Sequence, residues 1–287
     1  MPPLAVGLVV CAAIAHASWN LYAKRASTGG PVFVWLSCAA STVLYAPVVL
    51  GVVMALDVRI TPQLLTGVGV SGLLHLSYIL FLQRGYAKGD LSVVYPLARG
   101  TGPLLSVIAA VAFIGERPSI LALLGTLIVV VGILVIGLGS SSGERMKAMT
   151  GVMYGLVAGT MIAGYTLWDN HSVKALAITP LVMQWGTGLT RTLALAPYAL
   201  PRLGELRKVW AEHKKPVLVV GVLEPLAYLL VLFAMKYADV SLVAPSRELS
   251  IVVGAFFGWL LLGESQAARR IAGALIVLGG IVALTAS

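Results

Sequence analysis

Apolar residues run along this chain in stretches near twenty residues long, separated by short polar clusters. Ten such stretches fall at about 3–23, 31–56, 64–83, 91–114, 118–138, 150–168, 179–200, 216–235, 240–263 and 271–286. A helix of about 20 apolar residues spans the hydrocarbon of a bilayer. The pattern therefore predicts an all-α membrane protein of ten transmembrane helices. Lys24-Arg25, Gly29-Gly30-Pro31, Asp57-Val58-Arg59 and Gly115-Glu116-Arg117-Pro118 punctuate the gaps. The connection at 201–216 is long and polar enough to form a short surface helix of its own.

Composition strengthens this reading and removes its main rival. Of 287 residues, 59% are apolar and 11% charged, and mean hydropathy is +0.95. A soluble domain carries about 25% charged residues, so this chain is expected to be solvated largely by lipid. The net charge of +9 would suit a nucleic-acid partner only if the basic residues clustered. They sit instead in the short gaps, so the expected partners are the bilayer and a small-molecule substrate, with no nucleic acid.

Their distribution sets an orientation. The gaps after spans 1, 3, 5, 7 and 9 hold thirteen basic residues: Lys24, Arg25, Arg84, Lys88, Arg145, Lys147, Arg202, Arg207, Lys208, Lys214, Lys215, Arg269 and Arg270. The other gaps hold four, namely Arg59, Arg117, Lys174 and Lys236. By the positive-inside rule the first group faces the cytoplasm and both termini face outward. Met1-Pro2-Pro3 lacks a basic region and the first stretch lacks a cleavage site, so that stretch is expected to be a retained span.

The chain also resembles itself at an offset of 148–149 residues. Asp90-Leu91-Ser92-Val93-Val94-Tyr95-Pro96 matches Asp239-Val240-Ser241-Leu242-Val243-Ala244-Pro245. Arg99 then falls on Arg247, Gly115-Glu116 on Gly263-Glu264, Gly125 on Gly273 and Gly132 on Gly280. Trp19-Asn20 meets Trp168-Asp169, and His16 meets Tyr165. Apolar identities mean little in membrane helices, but ordered coincidences of Asp, Ser, Pro, Arg and Gly-Glu point to duplication. The halves are 1–143 and 144–287, each with five spans. An odd number of spans forces the second half into the membrane upside down, an architecture common in secondary transporters.

These residues carry a family resemblance that covers essentially the whole chain. The Asp-x-Ser-x-x-x-Pro openings of spans 4 and 9, the Gly-Glu closing each, the Gly-spaced spans 5 and 10 and the Trp-Asn/Trp-Asp pair resemble the drug/metabolite transporter superfamily. The likeness is to its EamA-type branch of ten-helix amino-acid and metabolite exporters. It implies export of small metabolites by alternating access and identifies the substrate poorly; the layout is more loosely similar to bacterial aromatic amino-acid exporters. Four-helix multidrug relatives carry a membrane-embedded Glu in their first span. Here that span offers His16, Trp19 and Asn20 and no acid, so proton-coupled drug antiport through such a residue is not supported.

Five charges fall inside the expected spans: Arg99, Arg191, Glu224, Arg247 and Glu248. Each costs about 2.5–3.5 kcal/mol on insertion scales, so such groups usually face the bundle interior or a wet cavity. Adjacent helix residues do not face each other, so Arg247 and Glu248 are not expected to pair simply. An Arg247–Glu224 or Arg191–Glu224 contact is the expectation, either as structural glue or as part of a site. Pro96 and Pro103 in span 4, Pro225 in span 8 and Pro245 in span 9 free backbone carbonyls. They are the candidate helix-breaking hinges, and lipid tolerates freed groups only against protein or water.

Rings recur three apart on shared faces: His16 with Trp19, His75 with Tyr78, and Tyr165 with Trp168. Tyr95 and Trp185 add to the inventory. The candidate pathway residues are therefore His16, Trp19, His75, Tyr78, Tyr95, Arg99, Trp168, Trp185, Glu224, Arg247 and Glu248. Rings plus one or two charges suit a zwitterionic or amphipathic metabolite. Trp19 and Trp168 also lie near enough to span ends to act as interfacial anchors, the role assigned to Trp35, Trp210 and Trp259. The glycines Gly67, Gly69, Gly72, Gly125, Gly132, Gly273, Gly279 and Gly280 suit close helix packing.

Cys11, Cys38 and the four scattered histidines show no metal-ligand spacing, and neither a cofactor nor a Walker lysine motif is legible. The expected function is a secondary transporter exporting small metabolites, amino acids foremost, acting as a monomer in a bacterial-type inner membrane. A multidrug or cation efflux transporter is the alternative, and a membrane-embedded enzyme, a channel or a scaffold are the weaker ones.

Overall fold

The computed structural model describes residues 1–88, 91–137, 145–254 and 267–286, and every regular element among these is helical. The helices are α1 Pro3–Arg25, α2 Gly30–Ala55, α3 Pro62–Lys88, α4 Leu91–Ala109, α5 Ile120–Gly137, α6 Arg145–Lys174, α7 Pro180–Ala199, α8 Leu203–Tyr237, α9 Val240–Ser246 and α10 Ala267–Thr285. Six stretches are long and apolar enough to cross a membrane: Pro3–Ala23, Gly30–Ala55, Pro62–Leu82, Leu97–Ile114, Met149–Lys174 and Pro180–Tyr237. The last contains both α7 and the membrane part of α8. The chain is a multi-pass helical membrane protein.

Local chemistry explains the boundaries. Proline sits in the first turn of α2 and α7, where its missing N–H costs nothing. In α8 the helix bends at His213 (φ −129°, ψ 22°), which sets the polar residues 203–212 apart from the apolar membrane segment. The 201–216 connection thus carries the short surface helix that its polarity suggested. Helix α4 runs unbroken through Pro96 and Pro103, and α8 through Pro225, whereas the regular helix of α9 ends at Ser246, one residue past Pro245. Helical residues resume at 249–254.

Helix α4 closes in a π-turn over Ala110–Ile114, capped by Gly115 at φ +79°. That left-handed conformation favours glycine, and it turns the chain so that Glu116 reaches α9. Its carboxylate accepts from the backbone N–H groups of Val240 and Ser241, both at 3.0 Å, satisfying two orphan donors of that helix start. The corresponding Glu264 and Asp90 lie outside the described residues, as does Trp259.

Helix α5 packs on α10, α4 on α9 and α2 on α7. Helix α4 also packs on α6 and on α5, and four further large contacts come in pairs: α1 on α8 with α3 on α6, and α2 on α8 with α3 on α7. The α5–α10 contact admits no side chain at its centre. A Cβ on Gly125 would lie 2.8 Å from the Gly280 carbonyl oxygen, and one on Gly280 would lie 2.7 Å from that of Gly125. Gly132 is equally confined, 2.8 Å from the Val277 nitrogen. Gly69 and Gly279 have open space instead, because they lie on helix faces that meet no neighbour; for these two the packing expectation fails.

Contacts at the helix ends fix which ends lie together. The Met1 amino group donates to the Thr285 carbonyl at 3.2 Å, and Lys174 donates to the Ala238 carbonyl at 3.1 Å. Glu116 joins the same end through α9. At the opposite end Thr28 meets His213 at 3.2 Å. Helices consecutive along the chain thus alternate in direction, while the packed pair α4 and α6 run parallel, both ending on the same side.

Candidate functional site

Charges buried midway along the helices organise the interior. Arg99 of α4, and Arg247 and Glu248 just beyond α9, are 6%, 8% and 0% exposed, so all three are buried within the bundle. Glu248 lies 2.7 Å from Arg99 Nη2 and 3.6 Å from Arg247 Nε. Arg99 Nη2 also donates to Ser250 Oγ at 3.2 Å. Two guanidinium groups therefore share one carboxylate. Arg247 keeps its Nε and Nη2 donors without a hydrogen-bond partner among the described residues.

The Arg247–Glu248 contact corrects the expectation that sequence neighbours would not meet. That expectation assumes helix geometry, and both residues stand in a turn between α9 and the next helical residues. Glu224 does not reach Arg247. It pairs with Arg191 of α7 instead, in a two-pronged contact of 3.0 and 3.3 Å.

Arg99 and Arg247 open onto a cavity walled by Ala12, Ala13 and His16 of α1, Tyr165 of α6, Ala227, Tyr228 and Val231 of α8, and Ser250. It encloses about 50 Å³, room for a few waters at about 10–15 Å³ each. Its wall is mixed: methyl groups and aromatic rings on α1, α6 and α8, and cationic groups from α4 and the turn after α9. The Arg247 guanidinium carbon stands 5.6 Å from the Tyr165 ring centre, within cation–π range.

Behind the two tyrosines lies a second polar cluster. His75 of α3 stacks on Tyr165 at 3.8 Å between ring centres and meets Tyr228 edge-on at 5.0 Å. Asp169 of α6, 1% exposed, accepts from the Tyr228 hydroxyl at 2.6 Å and lies 3.1 Å from His75 Nε2, both through Oδ2. Its Oδ1 is buried without a hydrogen-bond partner among the described residues.

The expected pathway residues divide by position. His16, Arg99 and Arg247 line the cavity, and Glu248 holds the two arginines. His75 belongs to the second cluster, and Tyr78 touches its rim, 6.0 Å from the Tyr165 ring. Trp19 meets His16 edge-on at 4.9 Å without lining the cavity. Trp168 and Trp185 stand away from it, their indoles donating to the carbonyls of Gly67 and Thr42 at 2.9 and 2.8 Å. Trp35 does the same to Thr192 at 3.0 Å, so these three brace neighbouring helices. The side chains of Tyr95 and Pro96 lie outside the described residues.

The candidate pathway residues read from sequence left out Tyr165, Asp169, Tyr228 and Ser250. Asp169 stood one residue beyond the expected end of span 6 at 168. With no breaker before Pro180, α6 continues to Lys174 and carries Asp169 inside. The signal lay in the repeat, where Asp169 matches Asn20 of the first span. Tyr228 was legible from Glu224, four residues earlier and so on the same helix face.

A multi-pass helical protein whose buried charges enclose a small mid-depth cavity has the build of a membrane transporter of small molecules. The model of the EamA-like transporter family matches it twice, over residues 3–138 and 149–286, and the chain belongs to that family. The pseudopaline exporter CntI of Pseudomonas aeruginosa strain UCBPP-PA14 is 24% identical over 282 residues, covering 97% of this chain and 94% of that protein. The protein of the same name from strain PAO1 matches at the same identity and coverage. A solved crystal structure superposes with a TM-score of 0.71 at 17% identity, over 97% of this chain and 98% of that one, a likeness of fold.

Proposed function

We propose that this transporter exports small metabolites bearing a carboxylate, amino acids foremost, across a bacterial inner membrane as a monomer. In this reading ten transmembrane helices form two inverted halves, 1–143 and 144–287, which exchange conformations to expose the central cavity to alternate sides. The double family match and the paired helix contacts, α1–α8 with α3–α6 and α2–α8 with α3–α7, support that symmetry. Each contact maps onto its mate when every helix is advanced by five.

The observation that carries the substrate reading is the charge count of the cavity. Two arginines at repeat-related positions face one carboxylate, and Arg247 has two donors without a hydrogen-bond partner among the described residues. A second carboxylate, brought by the substrate, completes the set, since guanidinium and carboxylate bond in a planar fork. His16 and the tyrosine rings then cover the apolar part. The cavity is too small for an amino acid as it stands, so this conformation is a closed one. Pathway roles for His16, Arg99, Arg247 and Glu248 follow from this arrangement, and hinge motion is assigned to Pro245, where the regular helix ends.

Counterflow into proteoliposomes, screened with labelled amino acids, sugars and lipophilic cations, tests the reading. Saturable exchange of amino acids is the expected result. Exchange of a lipophilic cation alone would replace it with the cation-efflux alternative.

A further inference from the structure

We propose that the surface helix opening α8, residues 203–212, binds the headgroups of anionic phospholipids such as phosphatidylglycerol, together with the basic residues that flank it. This goes beyond the transporter reading and does not depend on the substrate.

Three faces of this short helix differ in chemistry. Leu206 and Val209, both 8% exposed, turn inward and join Ala26, Phe33 and Val217 in one apolar cluster. A second face carries Leu203, Arg207 and Trp210, spaced four and three apart and therefore in line. Leu203 is 59% and Trp210 43% exposed, and Arg207 is exposed between them. The third face carries Glu205, Lys208 and Glu212, in line by the same spacing and all exposed. Both acids of the helix thus stand on one side, and exposed apolar and cationic groups share the other.

Water alone gives Leu203 and Trp210 no reason to stand exposed on one face. At a membrane interface tryptophan sits at headgroup level, and the apolar face of a surface helix sinks toward the acyl boundary. Arg207 between them is then placed beside phosphate, with which guanidinium bonds in a planar fork. Glu205 and Glu212, which phosphate would repel, are turned away.

The position of the helix agrees. Helix α8 bends at His213, and its apolar membrane segment follows from Pro216. Arg202, Arg207, Lys208, Lys214 and Lys215 crowd this entry, and a cluster of 4–8 basic residues beside a spanning helix attracts anionic headgroups. None of the ion pairs among the described residues occupies Arg207, Lys208, Lys214 or Lys215. Their exposed charge is available to lipid. The seat is also firm. A Cβ on Gly29 would lie 3.1 Å from Val209 Cγ1, and Thr28 meets His213 at 3.2 Å, so the helix rests on the turn between α1 and α2. A headgroup held here bears on the end of α1, the helix that brings His16 to the cavity.

The test places a fluorophore on Ala211→Cys of the full chain, with Cys11→Ala and the buried Cys38 left unlabelled, in phosphatidylcholine vesicles. The quencher is a small fraction of phosphatidylglycerol or phosphatidylcholine carrying a nitroxide near the headgroup. Phosphatidylglycerol is expected to associate at least about fivefold more strongly at low salt, the worth of one basic contact near a charged lipid. The preference should collapse at about 1 M salt, where the screening length is about 3 Å. Arg207→Gln with Lys214→Gln should abolish it. Arg59→Gln with Arg117→Gln, which removes the same charge from other gaps, should leave it intact. Equal quenching by the two lipids would overturn the proposal and leave a neutral interfacial anchor only. Equal loss in the two double variants would overturn it as well, because net charge alone would then explain the preference. If the first double variant does not fold, Lys214→Gln alone must lower the preference, and an unchanged value would sink the assignment. No transport enters this readout, so its failure and that of the amino-acid reading are separable.

Discussion

Two sets of buried charges, alike in composition, differ in how completely they are satisfied. Arg191 and Glu224 meet one to one, with both terminal guanidinium nitrogens on both carboxylate oxygens at 3.0 and 3.3 Å. Glu224 stands at the bundle's side with its side chain 24% exposed, and neither residue reaches the cavity. Arg99, Arg247 and Glu248 meet two to one around a cavity, and Arg247 keeps Nε and Nη2 without a hydrogen-bond partner among the described residues. The one-to-one pair balances its charge and holds α7 to α8, although Arg191 Nε is also without a hydrogen-bond partner among the described residues. In the other set two guanidinium groups meet one carboxylate among the described residues, the arrangement that the proposed function reads as an anion site. Charge within the membrane thus serves packing in one place and recognition in another, and the stoichiometry of partners tells them apart.

Breaking the complete pair should produce the largest effect on stability. Glu224→Gln leaves Arg191 buried without a counter-charge, which costs up to about 3–5 kcal/mol, less here because Glu224 is partly exposed. The melting midpoint in detergent should fall sharply, while counterflow per folded molecule persists. Arg247→Gln should act in the opposite sense. Its melting point should fall less, because Glu248 keeps Arg99 at 2.7 Å, and affinity for amino acids should fall about tenfold or more, the worth of a charged hydrogen bond of about 1.5–3 kcal/mol.

Exchanging the partners sharpens the contrast. Arg191→Glu combined with Glu224→Arg should recover part of the stability lost in Glu224→Gln, with a coupling of about 0.5–3 kcal/mol for residues in contact. A double-mutant cycle of thermal melts measures it. The smallest effect is expected at Glu116, a carboxylate fully occupied by two backbone N–H groups. Glu116→Ala should cost about 1 kcal/mol, the value of a lost helix cap, with little change in affinity.

Much of the fold was legible because lipid imposes a coarse rule that sequence obeys openly. Helix positions followed from hydropathy, and the 201–216 surface helix from its polarity. The Gly-Glu motif was visible as a repeat, but its purpose needed coordinates: Gly115 turns the chain and Glu116 caps a helix 124 residues later. Side-chain partnerships were harder to read. Trp168 and Trp185 look like pocket rings in sequence, yet each spends its indole on a neighbouring carbonyl, and sequence carries no mark of that choice. Asp169 escaped because a one-residue difference in a helix end separates a solvated acid from a buried one. Arg247 and Glu248 pair because the helix gives way to a turn after Pro245, a local departure that proline hints at without specifying.

The most direct test of the two-to-one charge cluster as the substrate site is competition between amino acids and their carboxamides in proteoliposome counterflow. These differ in the carboxylate alone. If the spare donors of Arg247 bind that group, the free acids should compete about tenfold or more better than the amides, and Arg247→Gln should abolish the preference. Equal competition by acids and amides in the wild type would contradict the account.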